Sequence, residues 1–122
     1  MTTTNQTALD VVNAYQEAWT GGDVATAARY VADDVVWHGP GGTLTGREAF
    51  MAGLGRFVDS LAPGWRRIAA MADEEGVLVL FEVSTPGGAT IRCADHFTVR
   101  GGRIQSDTMV FDTRAYFTAV NG

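Results

Sequence analysis

From Ala89 to Val99 the chain alternates. Ala89, Ile91, Cys93, Asp95, Phe97 and Val99 form one set, and Thr90, Arg92, Ala94, His96 and Thr98 the other. A period of two with one oily and one mostly polar face predicts a half-buried strand. The first half of the chain follows the helical period instead. Thr7 with Asp10 makes a capping-box pattern, and Val11, Val12, Tyr15, Ala18 and Trp19 form one apolar stripe that ends at Gly21–Gly22. Asp23 is placed to cap a short second helix through Tyr30, and Asp34–His38 reads as a short strand. Thr45 with Glu48 suggests a third helix start, with Phe50, Leu54, Phe57, Val58 and Leu61 on its buried side. Beyond Pro63–Gly64 come strands near 65–72, 77–84, 89–99 and 103–112, separated by glycine-bearing turns. The tail 113–120 fits either a strand end or a short helix. Helices first and a meander later predict one α+β domain over residues 1–122, with helices on one face of a curved sheet. In 77–83 both alternating sets are apolar at first (Val77, Val79, Phe81 against Leu78, Leu80), so the outer sheet face is expected to pack against a second copy of the chain.

Asp95 breaks the oily set. A carboxylate among apolar side chains is costly unless it is neutral, paired or hydrogen-bonded, which makes Asp95 a candidate for chemistry. Tyr15, on the inner stripe of the first helix, is its first candidate partner; the competing reading is a core tyrosine bonded to a backbone carbonyl. Asp107 is the second, and its facing depends on the turn at Arg100–Gly102. A two-residue Gly101–Gly102 hairpin pairs Arg100 with Arg103 and sets Thr108 opposite Asp95, with Ile104, Ser106, Thr108 and Val110 inward. A three-residue loop with a bulge at Gly102 sets Asp107 opposite Asp95, with Gln105, Met109 and Phe111 inward. The second register is preferred because it buries the larger side chains. Two carboxyls in an apolar pocket would share a proton, one serving as acid and the other as base.

Composition narrows the functions. The chain has 122 residues, 46% of them apolar, and a formal net charge of −5. It can bury a core without staples, and nothing supplies the basic stripe that nucleic acid or an anionic membrane would need. A single cysteine, Cys93, excludes an internal disulfide and suits a reducing cytoplasm. The polar start Met1–Thr7 lacks a hydrophobic signal segment, and no apolar run reaches membrane-spanning length. His38 and His96 lack ligand spacing, so no metal is expected, and no phosphate-cradling loop or nucleophile elbow is present. No cofactor is implied. The aromatic and apolar set Trp19, Trp37, Phe50, Leu54, Phe57, Phe81, Cys93, Phe97, Met109 and Phe111 would line a cavity suited to a flat hydrophobic molecule.

The chain also resembles the superfamily that joins nuclear transport factor 2, bacterial ketosteroid isomerase and SnoaL-like polyketide cyclases. The resemblance is carried by Val11-Val12-Asn13-Ala14-Tyr15 through Gly22-Asp23, by Val31 to Pro40, by Gly46-Arg47-Glu48-Ala49-Phe50, by Asp95-His96-Phe97 and by Gly101-Gly102-Arg103-Ile104. It implies a cone-shaped curved antiparallel sheet with three N-terminal helices on its concave face, a mouth holding an apolar ligand, and a homodimer. In ketosteroid isomerases a tyrosine and a protonated aspartic acid form the oxyanion hole, an arrangement for which that enzyme is itself the standard illustration. Tyr15 and Asp95 match those two positions. The usual base, on the first strand just before a proline, is replaced by Gly39 before Pro40.

These observations predict a small enzyme for proton transfer on a hydrophobic carbonyl compound, by isomerisation or aldol-type cyclisation. Tyr15 and neutral Asp95 would donate to the developing enolate oxygen, and Asp107 would move the proton. Gly39 favours a rival, a non-catalytic binding module for a hydrophobic ligand. A third reading makes Asp95 a packing residue of an association domain. Epoxide hydrolysis would need an arginine between acids in the cavity, and Arg66, Arg67 and Arg92 give no clear inward signal.

Overall fold

A computed structural model describes residues 7–74 and 76–121. The polar start before Thr7, Glu75 and Gly122 lie outside the described residues. Helix α1 spans Ala8–Thr20, α2 spans Val24–Ala27 and runs into a 3₁₀ turn at Ala28–Tyr30, α3 spans Arg47–Asp59, and α4 spans Thr113–Asn121. The strands are β1 Val31–Gly39, β2 Gly42–Thr45, β3 Ala62–Ala72, β4 Gly76–Ser84, β5 Thr90–Arg100 and β6 Arg103–Phe111. They form one curved, unclosed sheet in the order β2-β1-β6-β5-β4-β3. Neighbours are antiparallel except β1 and β6, which run parallel because the chain crosses the sheet between them. The α+β cone expected from the sequence is the observed fold.

Local signals explain most of the elements. Thr7 caps α1 by accepting from the Asp10 amide at 3.1 Å, while Asp10 accepts from the Thr7 amide at 3.3 Å. Both bonds satisfy donors that a helix start otherwise leaves orphaned. Asp23 accepts from the Thr26 amide at 3.1 Å and opens α2. The expected box at Thr45 and Glu48 does not form. Gly46 is the N-cap of α3, at φ 95°, with no side-chain cap bond. That conformation suits a residue without Cβ, so the backbone angle takes over from the side-chain signal. Leu61 falls beyond α3, which ends at Asp59, yet still packs half-buried against the core. The first strand is longer than expected, and the Gly39–Gly42 loop is a hairpin to β2, pairing Gly39 with Gly42 and Trp37 with Leu44.

The β5–β6 hairpin settles the open register with a mixture of the two alternatives. Gly101 and Gly102, at φ 62° and 75°, form a two-residue turn that pairs Arg100 with Arg103. One step on, Val99 pairs with Ile104, but Thr98 pairs with Ser106. The extra residue is therefore Gln105, not Gly102. Its side-chain amide donates to the Arg100 carbonyl at 3.0 Å and the Arg103 carbonyl at 3.3 Å, and the Thr98 and Ser106 hydroxyls meet at 2.6 Å just beyond it. The bulge leaves Ile104 inward at the tip and turns Asp107, Met109 and Phe111 inward thereafter. Asp107 lies opposite Phe97, and Met109 opposite Asp95. The expectation of Asp107 directly across from Asp95 is thus corrected: the two acids are diagonal neighbours on one face, still within reach of each other.

The core lies between α1 and the concave face, around Val11, Val12, Tyr15, Trp19, Val79, Phe81, Ile91 and Phe97. The convex face carries an apolar row, Ala69–Leu80–Ala94–Val110, beside Met71 and Leu78. Leu78 and Val110 are 46% and 59% exposed. Arg66 and Arg92 flank that row and both hold Glu82 at 2.8 Å.

Candidate functional site

The concave face and the helices enclose a cavity of about 490 Å³. Its floor is built by three elements. The α1 stripe delivers Tyr15, β5 delivers Asp95, and the Gln105 bulge delivers Asp107. All three residues line the cavity and all are buried. Tyr15 is held by its ring, 5.7 Å edge-on to Phe97 and 6.2 Å from Phe50.

Electrostatics make the two acids one unit. Burial pushes Asp95 up to about 7, offset in part by a hydrogen bond with Asp107. Burial also raises Asp107 well above the ordinary carboxyl range, with repulsion from Asp95 and the shared hydrogen bond adding to it. A hydrogen bond between two carboxyls requires a proton on one of them, so the pair holds a proton in common and titrates as a pair. The Tyr15 hydroxyl is driven well upward by burial, then by the charges of Asp107 and Asp95, and stays a protonated donor. Among the described residues, Oδ1 of Asp95 and Oδ1 of Asp107 are buried without a hydrogen-bond partner. Buried acceptors are rarely left so, and here both belong to groups that line a cavity.

The sequence-derived lining set divides. Trp19, Trp37, Phe50, Leu54, Phe57, Phe81, Met109 and Phe111 line the cavity. Cys93 and Phe97 are buried behind it and are not among its lining residues. Cys93 is pushed up to about 12 by burial and then by the charge of Asp95, so its thiol is inert. His38 and His96 are exposed. Arg66 and Arg92 bind Glu82 on the convex face. Arg67 turns toward α1 instead, donating at 2.7 Å to both Asn13 and Gln16, away from the cavity. No group of three or more His, Cys, Asp or Glu side chains among the described residues could hold a metal ion.

Three contributions escape the sequence reading. Gly41–Leu44 closes one side of the mouth as the β1–β2 hairpin, Gly53 and Arg56 add the face of α3, and Tyr116 and Phe117 add α4. Helix α4 is latched by Tyr116, whose hydroxyl meets the Ser60 hydroxyl at 2.6 Å and whose ring stands edge-on to Phe111 at 5.3 Å. The only forewarning is the adjacent aromatic pair Tyr116–Phe117 in the tail. Gly39, where a base would be expected, lies under Trp37. A Cβ built on Gly39 falls 1.8 Å from the Trp37 ring, so the indole occupies the space that any side chain at 39 would need.

A curved sheet floored by buried acids and a tyrosine, with an apolar cavity above, defines a small cavity-enclosing α+β cone. A family model described as a SnoaL-like domain matches residues 12–106, and the chain belongs to that family. No curated protein matches it in sequence. Among solved structures it is similar to a protein from Kribbella flavida DSM 17836, at 35% identity over 94% of each chain and a TM-score of 0.88. It is also similar to a de novo designed protein with a curved β-sheet, at 18% identity over 98% of this chain and 96% of that one, TM-score 0.82. A third is a protein with a ketosteroid isomerase-like fold from Catenulispora acidiphila DSM 44928 in complex with trimethylamine, at 20% identity over 92% of each chain and a TM-score of 0.77. The two less similar structures share the fold of this chain. No helix among the described residues is long and apolar enough to cross a membrane.

Proposed function

We propose that the protein catalyses proton transfer on a hydrophobic carbonyl compound, in an isomerisation or an aldol-type ring closure. The observation that carries this reading is the pair of buried, hydrogen-bonded carboxyls beside Tyr15, each with an unpartnered oxygen, on the wall of an apolar cavity. In the proposed cycle the substrate carbonyl accepts from the Tyr15 hydroxyl and from the protonated carboxyl of the Asp95–Asp107 pair. The ionised carboxyl removes a proton from the carbon next to the carbonyl, and the electron pair of that C–H bond moves onto the oxygen as an enolate. The same carboxyl then returns the proton to another carbon of the enolate; in the ring closure the enolate carbon instead attacks a second carbonyl, whose π electrons move onto its oxygen, and the carboxyl gives its proton to that alkoxide. Donors fixed in a dry site lower such a barrier by about 3–4 kcal/mol each, and a positioned acid or base contributes about 10²–10⁴-fold. The chain has no lysine, so a Schiff-base route is closed to its side chains.

The test is deuterium uptake from D2O into a hydrophobic cyclic ketone such as 2-tetralone, followed by NMR. The wild type should exchange the ketone far faster than buffer, and Asp95→Asn and Asp107→Asn should lose at least ~100-fold while keeping their circular dichroism. Exchange no faster than buffer across aromatic and alicyclic ketones would remove the enzymatic reading.

A second reading is ligand binding without turnover. It rests on Trp37 filling the space over Gly39, which makes the missing base a built feature rather than a gap. Ligand affinity in the absence of any exchange would support it. In either case we propose a homodimer formed through the convex face, where Leu78, Met71 and Val110 stand exposed in one patch. Light scattering should give twice the chain mass, and Leu78→Arg with Val110→Glu should halve it.

A further inference from the structure

Arg56 lines the cavity from α3 and is exposed, so it stands at the open side while the acids stand at the closed one. It is the one cationic side chain among the described lining residues. Three other arginines are held by carboxylates: Arg47 reaches Asp33, and Arg66 and Arg92 reach Glu82, each at 2.8 Å. Arg56 has no carboxylate partner among the described residues. Its guanidinium lies over Gly53, one turn earlier. A Cβ at position 53 would lie 3.7 Å from the Arg56 guanidinium and only 2.8 Å from the Leu44 side chain. The guanidinium therefore folds back across bare backbone, and Gly53, Leu44 and Arg56 form a continuous stretch of cavity wall.

The two ends of the cavity thus differ in charge. No arginine appears among the groups that act on Asp95 or Asp107, so the floor carries acid without a counter-cation and repels a ligand's negative end. The mouth carries a guanidinium without a counter-anion, and guanidinium is the side chain best shaped to hold a carboxylate or a similar planar oxyanion. Between them lie aromatic and aliphatic walls.

We infer that Arg56 is a specificity-determining residue that captures an anionic oxygen group on the ligand, so the preferred ligand is a hydrophobic carbonyl compound with a carboxylate or ionised enol at the end facing the mouth. This deepens the proposed function and depends on the same cavity, but it is read by binding rather than by turnover.

The test uses a matched pair of probes, 2-naphthylacetate and its neutral methyl ester, titrated against the full chain. Quenching of Trp19 and Trp37, which line the cavity, reports occupancy. The wild type should bind the carboxylate about tenfold more tightly than the ester, as expected for one charge-assisted contact, and added salt should shrink that margin. Arg56→Gln should abolish the margin while leaving ester affinity unchanged, and Arg56→Lys should keep part of it. Equal affinity of the two probes in the wild type, or a carboxylate preference that survives Arg56→Gln, would overturn the role of Arg56 and leave the deuterium-exchange experiment standing. Failure of both probes to bind the wild type would overturn the inference along with the hydrophobic-ligand cavity it rests on.

Discussion

The floor and the mouth of the cavity are made by different means. The floor is sheet and core helix: Tyr15, Asp95 and Asp107 are buried, fixed by strand register and ring packing, and unable to reorient without disrupting the core. The mouth is a hairpin, the outer turns of α3 and a terminal helix, with Arg56 exposed and Phe117 51% exposed. Groups that must hold an unusual protonation state need low dielectric and rigid neighbours. Groups that only recognise a ligand work at the water boundary. The division implies that substitutions at the floor act on chemistry and on pH dependence, whereas those at the mouth act on affinity and local stability.

The largest effect expected from that contrast is at the floor. Asp95→Asn and Asp107→Asn should each reduce proton exchange by about 10²–10⁴-fold with little change in ligand affinity. A variant that loses affinity and rate equally would break the distinction. Tyr15→Phe comes next: it removes one donor but spares the ring contacts with Phe97 and Phe50, so kcat should fall by about 10²-fold while the melting temperature stays near that of the wild type.

Gly39 sits in the β1–β2 hairpin, paired with Gly42. Installing the missing base as Gly39→Asp should cost about 1–3 kcal/mol, because the new side chain meets the Trp37 ring. Adding Trp37→Ala should recover part of that loss in urea denaturation, and no recovery would show that the indole is not the obstacle.

Stability should also record the floor's protons. Asp95 is raised to about 7, and Asp107 is raised well above the ordinary range, both chiefly by burial. In the unfolded chain each titrates near 3.9. Across the interval from about 4 to 7 the folded state therefore binds more protons than the unfolded one, and stability falls as pH rises. The contribution is fully present below pH ~4 and is lost as pH climbs through the folded value near 7. Asp95→Asn should flatten that slope and be more stable than the wild type at pH 8 by about 1–3 kcal/mol. Denaturant midpoints at several pH values would measure it, and a wild-type slope of the opposite sign would contradict the shared-proton floor. The smallest effect belongs to the mouth. Ser60→Ala breaks the bond to Tyr116 and should weaken α4 by about 0.5–1.5 kcal/mol, visible as faster amide exchange confined to 113–121.

The same contrast explains what could be read in the chain. The floor was legible because period-two and period-3.6 patterns show directly when a polar group stands in an apolar set, as Asp95 and Tyr15 do. Asp107 was reached by weighing two hairpin registers, but the bulge was assigned to a glycine. It falls on Gln105, whose side chain caps the distortion with two backbone carbonyls, a contact that no local propensity announces. The mouth was poorly legible. Arg56 reads as an ordinary polar helix position, Gly41–Leu44 reads as a loop, and Tyr116 becomes part of the cavity through Ser60, 56 residues away in the chain. Position 39 was noticed for lacking a carboxylate, yet its physical reason, an indole two residues earlier, needed coordinates.

The extra residue in β6 has a genetic consequence. Loss of the codon for Gln105 would leave an unbroken ladder in which Ser106 still meets Thr98 and Asp107 still meets Phe97, so the inward set would survive. Flattening the bulge with Gln105 kept in place would instead bring Gln105 opposite Thr98, rotating Ser106, Thr108 and Val110 toward the interior and casting Asp107, Met109 and Phe111 onto the outside. In a cone of this kind a strand can shed one codon without harm to its inner face, whereas a slip of register at full length would exchange an acid-floored chamber for a hydroxyl-lined one.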